Sequence, residues 1–314
     1  MTTQFTSVGA IPTIYDGYVS SRPVLARMGK LTDICIHAWP SQKVKDAFKD
    51  LRADNPDIKI TLGVGVDSMA RSAVLSNSVK LAVFEFERIV RTAMEYAGGI
   101  QAVMWNAEAS WKTPPNSAQR RILNSLVKEV LLSVADKFPS LPQLHTAYDH
   151  PTYHSTYNWE AWLGKDSPIC MSLPQVYAAP GAGLMARRGD LDRRESKALL
   201  SWKAAVKAGW IKKDAPEGEE GDLSDVDWAP YYQLHSVPVS DTLHHMTSSK
   251  VCYGWALPNR ADKDGIAAIT CAVILKRRGF WGEKAVADWQ KAHGLSVDNV
   301  AGWGQTIPSI LAAV

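Results

Sequence analysis

Asn106 and Glu108 are the residues whose type and spacing most clearly suggest chemistry, and they stand two positions apart. They follow the apolar run Ala102–Trp105, and Trp111 comes shortly afterwards. Residues two apart on an extended chain point to the same side, so both side chains are expected to face one cleft. A carboxylic acid in such a cleft is suited to protonating the leaving oxygen of a glycosidic bond. We therefore predict Glu108 as the general acid/base and Asn106 as the group that orients a 2-acetamido substituent.

Eight short apolar runs must position these residues, and most of the gaps between the runs are long enough for a helix. The runs are Ile11–Asp16, Asp33–Ala38, Ile58–Gly65, Ile100–Glu108, Gln143–Asp149, Pro168–Tyr177, Tyr231–His235 and Lys250–Leu257. Apolar residues at helical spacing predict a helix from Val79 to Tyr96 in one gap. An N-cap at Asn116 or Ser117 predicts the start of a helix in another gap. The alternation predicts an α/β fold, a (β/α)8 TIM-like barrel, with an open doubly wound sheet as the alternative.

In such a barrel, the functional residues come from the carboxyl ends of the strands, which meet at one mouth. Asp16 ends the first run and is predicted to be an assisting carboxylate beside Glu108. The residues predicted to bind substrate around this mouth are Trp39, Trp111, Asp149, Gln175, Tyr177, His235 and Trp255. Structural roles stay open for two of the predicted site residues. Asp16 also begins a turn dipeptide, and Asp149 is also a possible cap of the segment that follows it.

Composition narrows the classes of function. Twelve Trp beside only six Phe favour flat surfaces for sugar rings, although Trp residues scattered through a core fit equally well. The net charge of +3 gives no basic stripe, so a nucleic-acid partner is not indicated. No segment reaches the roughly 20 apolar residues that span a bilayer, and the N-terminus lacks the pattern of a signal peptide. We expect no membrane partner.

Motifs for metals and cofactors were not found, so none is expected. HxH and HExxH patterns are missing, and Gly63-Val-Gly65 lacks the third glycine of a dinucleotide-binding fingerprint. The four cysteines are far apart and are predicted to be buried thiols. His37, His145 and His235 lie at strand ends, which keeps a metal-dependent amidase open as an alternative.

A compact helical pattern begins after residue 261. The predicted helices are Gly265–Arg278, Gly282–His293 and Gly304–Leu311, with glycines at their joins. The stretches 269–280, 285–295 and 297–302 together resemble a peptidoglycan-binding domain of the three-helix type. That resemblance implies a barrel domain over residues 1–261 and a wall-binding module over residues 262–314. The alternative is that these helices complete the barrel, because the first of them stands where the eighth barrel helix belongs.

The barrel also resembles the family 25 glycoside hydrolases, which include the muramidases of many phage endolysins. That family has an Asp on strand one, Asp-x-Glu on strand four and a late Gln-Tyr pair. Asp16, Glu108 and Gln175-Val-Tyr177 match this pattern, while Asn106 replaces an Asp, as it does in some substrate-assisted endoglycosidases.

The resemblance implies an endolysin-like enzyme of the muramidase or glucosaminidase type, which cleaves β-1,4 bonds in peptidoglycan glycan strands. It implies synthesis in the host cytoplasm and action at the bacterial cell wall after holin-type release, or as part of a virion. The remaining alternative is a non-catalytic phage structural protein that binds glycan on a barrel scaffold.

Overall fold

The computed structural model describes residues 9–15, 33–37, 42–177, 190–212, 227–228, 231–233, 239–248, 251–255 and 263–313. Its strands are β1 (Gly9–Tyr15), β2 (Asp33–His37), β3 (Lys59–Gly65), β4 (Ala102–Asn106), β5 (Gln143–Tyr148), β6 (Ile169–Val176), β7 (Asp227–Trp228), β8 (Tyr231–Gln233) and β9 (Val251–Trp255). Its α-helices are α1 (Gln42–Asp54), α2 (Asp67–Ser76), α3 (Lys80–Ala97), α4 (Ala118–Lys137), α5 (Trp159–Leu163), α6 (Asp190–Lys207), α7 (Val239–Ser248), α8 (Lys263–Arg277), α9 (Ala285–Ala292) and α10 (Thr306–Leu311). Short 3-10 helices cover Ala109–Trp111 and Pro151–His154.

The strands close into a parallel barrel. Pairing runs without a break from β1 through β6, continues from β6 to β8 and β9, and returns from β9 to β1. The short strand β7 pairs with Met171–Ser172 and β8 with Gln175–Val176, so they are two pieces of one barrel strand. All eight predicted strands are present, and the closed pairing confirms the (β/α)8 prediction over the open sheet.

Residues of β2 to β6 are buried on both faces, which explains why these strands appear in the sequence as continuous apolar runs. One face lies inside the barrel, where residues of four strands form a small cluster that includes Cys35, Met104 and Leu173. The other face packs under the helices; Trp105, for example, meets Phe86 of α3 edge-on, with ring centroids 5.5 Å apart. A charged or polar side chain at a strand's carboxyl end therefore stands out against an apolar background.

The helix α4 shows how the sequence fixes an element beside the barrel mouth. Ser117 is its N-cap, and the Ser117 Oγ accepts the backbone N–H of Arg120 at 3.0 Å. Its buried stripe contains Leu123, Leu126 and Val130 at helical spacing. In the part of the chain that the structure covers, no helix combines the length and apolar character needed to cross a membrane.

The last three helices pack on one another and on the barrel. Every residue from Ala267 to Leu275 of α8 is buried, because α8 lies between the barrel and α9 and α10. Trp289 of α9 and Ile307 of α10 belong to the same hydrophobic cluster as residues of α7 and α8. The Ser240 Oγ of α7 also accepts the N–H of Ala301 at 2.7 Å. The domain boundary at residues 261/262 stays a prediction, and α8 lies against β1, in the place of the eighth barrel helix.

Cysteines agree with the sequence prediction where the structure covers their side chains. Cys35, Cys170 and Cys271 are buried thiols within the core. Burial raises the pKa of the Cys271 thiol to about 12, so this thiol stays protonated at neutral pH.

Candidate active site

The carboxyl end of β4 places Asn106 and Glu108 together. The chain turns out of β4 after Asn106 and enters the 3-10 helix Ala109–Trp111, and Glu108 lies at this turn. Gln175, near the end of β6, donates its Nε2–H to Glu108 Oε1 at 3.0 Å and to Asn106 Oδ1 at 3.3 Å. The structure thus brings together three of the predicted site residues, contributed by two strands of the barrel.

Asp67, which was not among the predicted residues, positions the loop that carries Glu108. It is the first residue of α2 and follows the end of β3 by two positions. The Asp67 Oδ1 accepts the backbone N–H of Glu108 at 2.8 Å, and its Oδ2 accepts that of Ser110 at 3.1 Å. Both oxygens are therefore used to hold the backbone around Glu108. The sequence signal that could have identified Asp67 was a polar residue just after a predicted strand.

Tyr148, at the end of β5, is a second residue that the predicted set lacked. Partial burial, together with the negative charges of Glu108 and Asp67, raises its pKa to about 12. The phenol therefore keeps its proton at neutral pH and can donate a hydrogen bond. Lys112 lies over the Tyr148 ring with its Nζ 3.8 Å from the ring centroid, and the His154 ring lies against Tyr148 in a tilted arrangement with the centroids 4.0 Å apart.

Behind the mouth, His145 joins a buried hydrogen-bonded chain. Its Nε2 lies 2.8 Å from the Tyr157 hydroxyl, and its Nδ1 lies 3.3 Å from the Ser172 Oγ. Burial lowers the pKa of His145 to about 3, so the ring is neutral and offers one donor and one acceptor nitrogen. Among the described residues, no group of three or more His, Cys, Asp or Glu side chains has the arrangement to hold a metal ion.

His37 lies inside the barrel against Gly63. A Cβ on Gly63 would come within 2.4 Å of the His37 ring, so only glycine fits at this position of β3. Burial lowers the pKa of His37 to about 3, and its ring is neutral at neutral pH.

We expect the free energy of unfolding to fall in acid because of these two histidines. Their pKa is about 3 in the folded protein and about 6.5 in the unfolded chain, so between these values the unfolded state binds more protons. Each should lower stability by roughly 1 kcal/mol per pH unit in the middle of this window as the pH falls. Urea unfolding at a series of pH values measures the slope. His145→Gln should remove one histidine's share, and an unchanged slope in that variant would contradict the assignment.

Two predicted substrate-binding residues are buried against other parts of the protein, and the structure corrects both predictions. Trp111 is only 1% exposed, because its ring packs edge-on against Trp162 with centroids 5.0 Å apart. Its faces are therefore covered by protein and cannot stack on a sugar. Asp149 is 3% exposed and binds the guanidinium of Arg194, while His150 Nδ1 lies 2.8 Å from Asp149 Oδ1. Through its contact with Arg194, Asp149 holds the loop after β5 against α6.

Of the remaining predicted residues, the structure describes the positions of Tyr177 and Trp255, and the others lie outside the described part. Tyr177 follows β6 directly and is partly exposed. Trp255 ends β9, where the backbone pairs with Thr13 of β1 and Gln233 of β8, so it lies at the same end of the barrel as Glu108. The residues that lie outside the described ranges are Asp16, Trp39 and His235.

Solved structures with a similar fold include two polysaccharide-degrading enzymes. A plant class V chitinase mutant from Cycas revoluta, in complex with (GlcNAc)3, has a TM-score of 0.54 at 11% identity, over 84% of this chain and 99% of the chitinase. A Bacteroidetes-affiliated GH5 cellulase linked with a polysaccharide utilization locus has a TM-score of 0.52 at 10% identity, over 98% of this chain and 95% of the cellulase. At such low identity the likeness supports the barrel fold alone. No protein-family model matches the sequence, and neither does any curated protein.

Proposed function

We propose that this protein is a glycoside hydrolase that cleaves β-1,4 bonds in peptidoglycan. The observation that carries the proposal is the hydrogen-bonded set of Glu108, Asn106 and Gln175 at the carboxyl ends of β4 and β6. Two of the proteins with this fold are named as a chitinase and a cellulase, which supports glycan cleavage. Peptidoglycan is favoured over other glycans by the resemblance of residues 269–302 to a peptidoglycan-binding domain.

In this proposal Glu108 first acts as the general acid. Its Oε1 accepts the Gln175 N–H, so the transferable proton is carried by Oε2. That proton passes to the glycosidic oxygen as the bond to the anomeric carbon breaks. The resulting Glu108 carboxylate then takes a proton from the water that attacks the anomeric carbon, which restores the acid.

Asn106 orients the sugar's 2-acetamido group in the same mechanism. Its Oδ1 accepts one hydrogen bond from Gln175 and keeps a lone pair for the acetamido N–H. A held acetamido group directs its carbonyl oxygen to the anomeric carbon, forms a cyclic intermediate as the leaving group departs, and is released by water. The protonated Tyr148 hydroxyl supplies a further donor at this end of the barrel.

The proposed setting is a phage lytic enzyme that acts on the cell wall from inside the host or from the virion. Support for this setting comes from the sequence resemblance to family 25 muramidases and to the wall-binding module. No nucleic-acid or membrane partner is part of the proposal.

Purified peptidoglycan separates this function from its alternatives. We expect the wild-type protein to release new reducing ends, to release no new amino groups, and to keep its activity in a chelator. New amino groups that disappear with chelator would indicate a metal-dependent amidase. Binding to peptidoglycan without either product would indicate a non-catalytic glycan-binding protein.

Asp67→Ala should lower kcat by roughly 10- to 100-fold with a smaller change in KM, because the Glu108 loop loses both of its carboxylate contacts. Asp67→Asn keeps one acceptor oxygen and should recover part of kcat. The matched control is Asp57→Ala, since Asp57 is exposed at the opposite end of β3. Wild-type kcat in Asp67→Ala would rule out the positioning role.

A further inference from the structure

Lys112 lies at the edge of the proposed active site. It follows the 3-10 helix Ala109–Trp111, four residues after Glu108, and is partly buried. Its Nζ lies 3.8 Å from the centroid of the Tyr148 ring. Tyr148 in turn is close enough to Glu108 to be affected by its charge. The Tyr148 ring therefore contacts the Lys112 ammonium at the end of the barrel that contains Glu108, the proposed general acid.

Backbone contacts fix Lys112 in place. Lys112 forms an antiparallel bridge with Tyr157, and the next residue, Thr113, donates its N–H to Thr156 O at 2.9 Å. The Arg120 guanidinium then donates to Thr113 O at 2.9 Å and to Thr156 O at 3.1 Å. These contacts join the two loops around Lys112, so the backbone that carries its side chain is held before any ligand arrives.

The charge of Lys112 is not neutralised by a carboxylate in the described part of the protein. Among those residues, no carboxylate forms an ion pair with Lys112, whereas Lys137 pairs with Glu87 and Arg194 with Asp149. The Tyr148 ring stabilises the ammonium through its π face but does not neutralise its charge. Such a cation attracts an anionic group on a bound molecule.

We propose that Lys112 is a specificity-determining residue that binds a carboxylate carried by the glycan close to the bond that Glu108 cleaves. This inference rests on the proposed function. Peptidoglycan strands carry carboxylates on their peptide substituents and on lactyl groups that bear no peptide, whereas polymers of N-acetylglucosamine are neutral. The site therefore prefers an acidic glycan to a neutral one with the same backbone.

The test compares two substrates with the same glycan backbone and different charge: soluble peptidoglycan fragments, and the same fragments with their carboxylates converted to methylamides. On the acidic fragments, Lys112→Met should raise KM about tenfold at constant kcat, because methionine keeps the apolar contact with Tyr148 and loses the ion pair. Lys112→Arg should restore most of the affinity. On the methylamide fragments, wild type and Lys112→Met should have the same KM.

Calorimetric binding of both fragments keeps this proposal separate from the proposed function. Tighter binding of the acidic fragment by the wild type, lost in Lys112→Met, supports the role of Lys112 even if no bond is cleaved. Equal affinity of the wild type for the two fragments overturns it, even if hydrolysis is observed. An absence of reducing ends with either fragment would count against the hydrolase proposal alone.

Discussion

Glu108→Gln should lower kcat for the release of reducing ends from peptidoglycan by about 10³-fold. A positioned general acid contributes roughly 10²- to 10⁴-fold, and glutamine has no proton to give to the leaving oxygen. Glutamine has the same shape, and its side-chain oxygen can still accept the Gln175 N–H that Glu108 Oε1 accepts now. The variant should therefore bind substrate with nearly unchanged affinity. Initial rates and the thermal midpoint of the same preparation measure both effects.

Glu129→Gln is the matched control, because Glu129 is exposed on α4 and the substitution removes the same charge. It should retain the wild-type rate. If the folded Glu108→Gln variant also kept a rate within about threefold of wild type, Glu108 would have no role as the acid. The acid would then have to be sought among the other residues at the carboxyl ends of the strands.

Trp289→Ala should destabilise the whole chain by about 3–5 kcal/mol. Trp289 is 1% exposed, stacks on His293 at 3.7 Å between ring centroids, meets Phe280 edge-on, and donates its Nε1–H to Ser309 Oγ at 3.2 Å. Since α9 and α10 share a hydrophobic cluster with α7 and α8, the loss should lower a single unfolding transition. Urea unfolding followed by circular dichroism measures it.

Trp281→Ala is the control for this variant, since Trp281 lies in the same segment and is 43% exposed. It should cost about 1 kcal/mol or less. Two separate transitions, with only the smaller one shifted by Trp289→Ala, would contradict the shared core. That result would instead favour an independent module beginning at residue 262.

The barrel was predictable because strands such as β2 to β6 are buried on both faces and therefore appear in the sequence as uninterrupted apolar runs. Helices α2 and α7 were missed for the opposite reason. The buried face of α2 includes the small residues Ala70 and Ala73, while its Leu75 is 87% exposed, so the apolar spacing does not mark the helix. The buried face of α7 includes the polar Thr242 and His245.

Strand ends led to Glu108, Asn106 and Gln175, but sequence spacing does not reveal contacts between distant segments. Asp67 reaches the Glu108 backbone from 41 residues away, and no local pattern shows this. Asp149 resembles a free carboxylate at a strand end until Arg194, 45 residues later, is found beside it. A tryptophan near the mouth, such as Trp111, has the same sequence context whether it is buried or exposed.

Hydrolysis of peptidoglycan in water enriched in heavy oxygen, with the products identified by mass spectrometry, tests the central claim most directly. Cleavage of a glycosidic bond places one heavy oxygen on the anomeric carbon of the new reducing sugar, which borohydride reduction then traps. We predict that the wild-type protein gives such labelled sugars and that Glu108→Gln gives almost none. Heavy oxygen found in a newly formed carboxyl group, with unlabelled sugars, would contradict a glycoside hydrolase that uses Glu108.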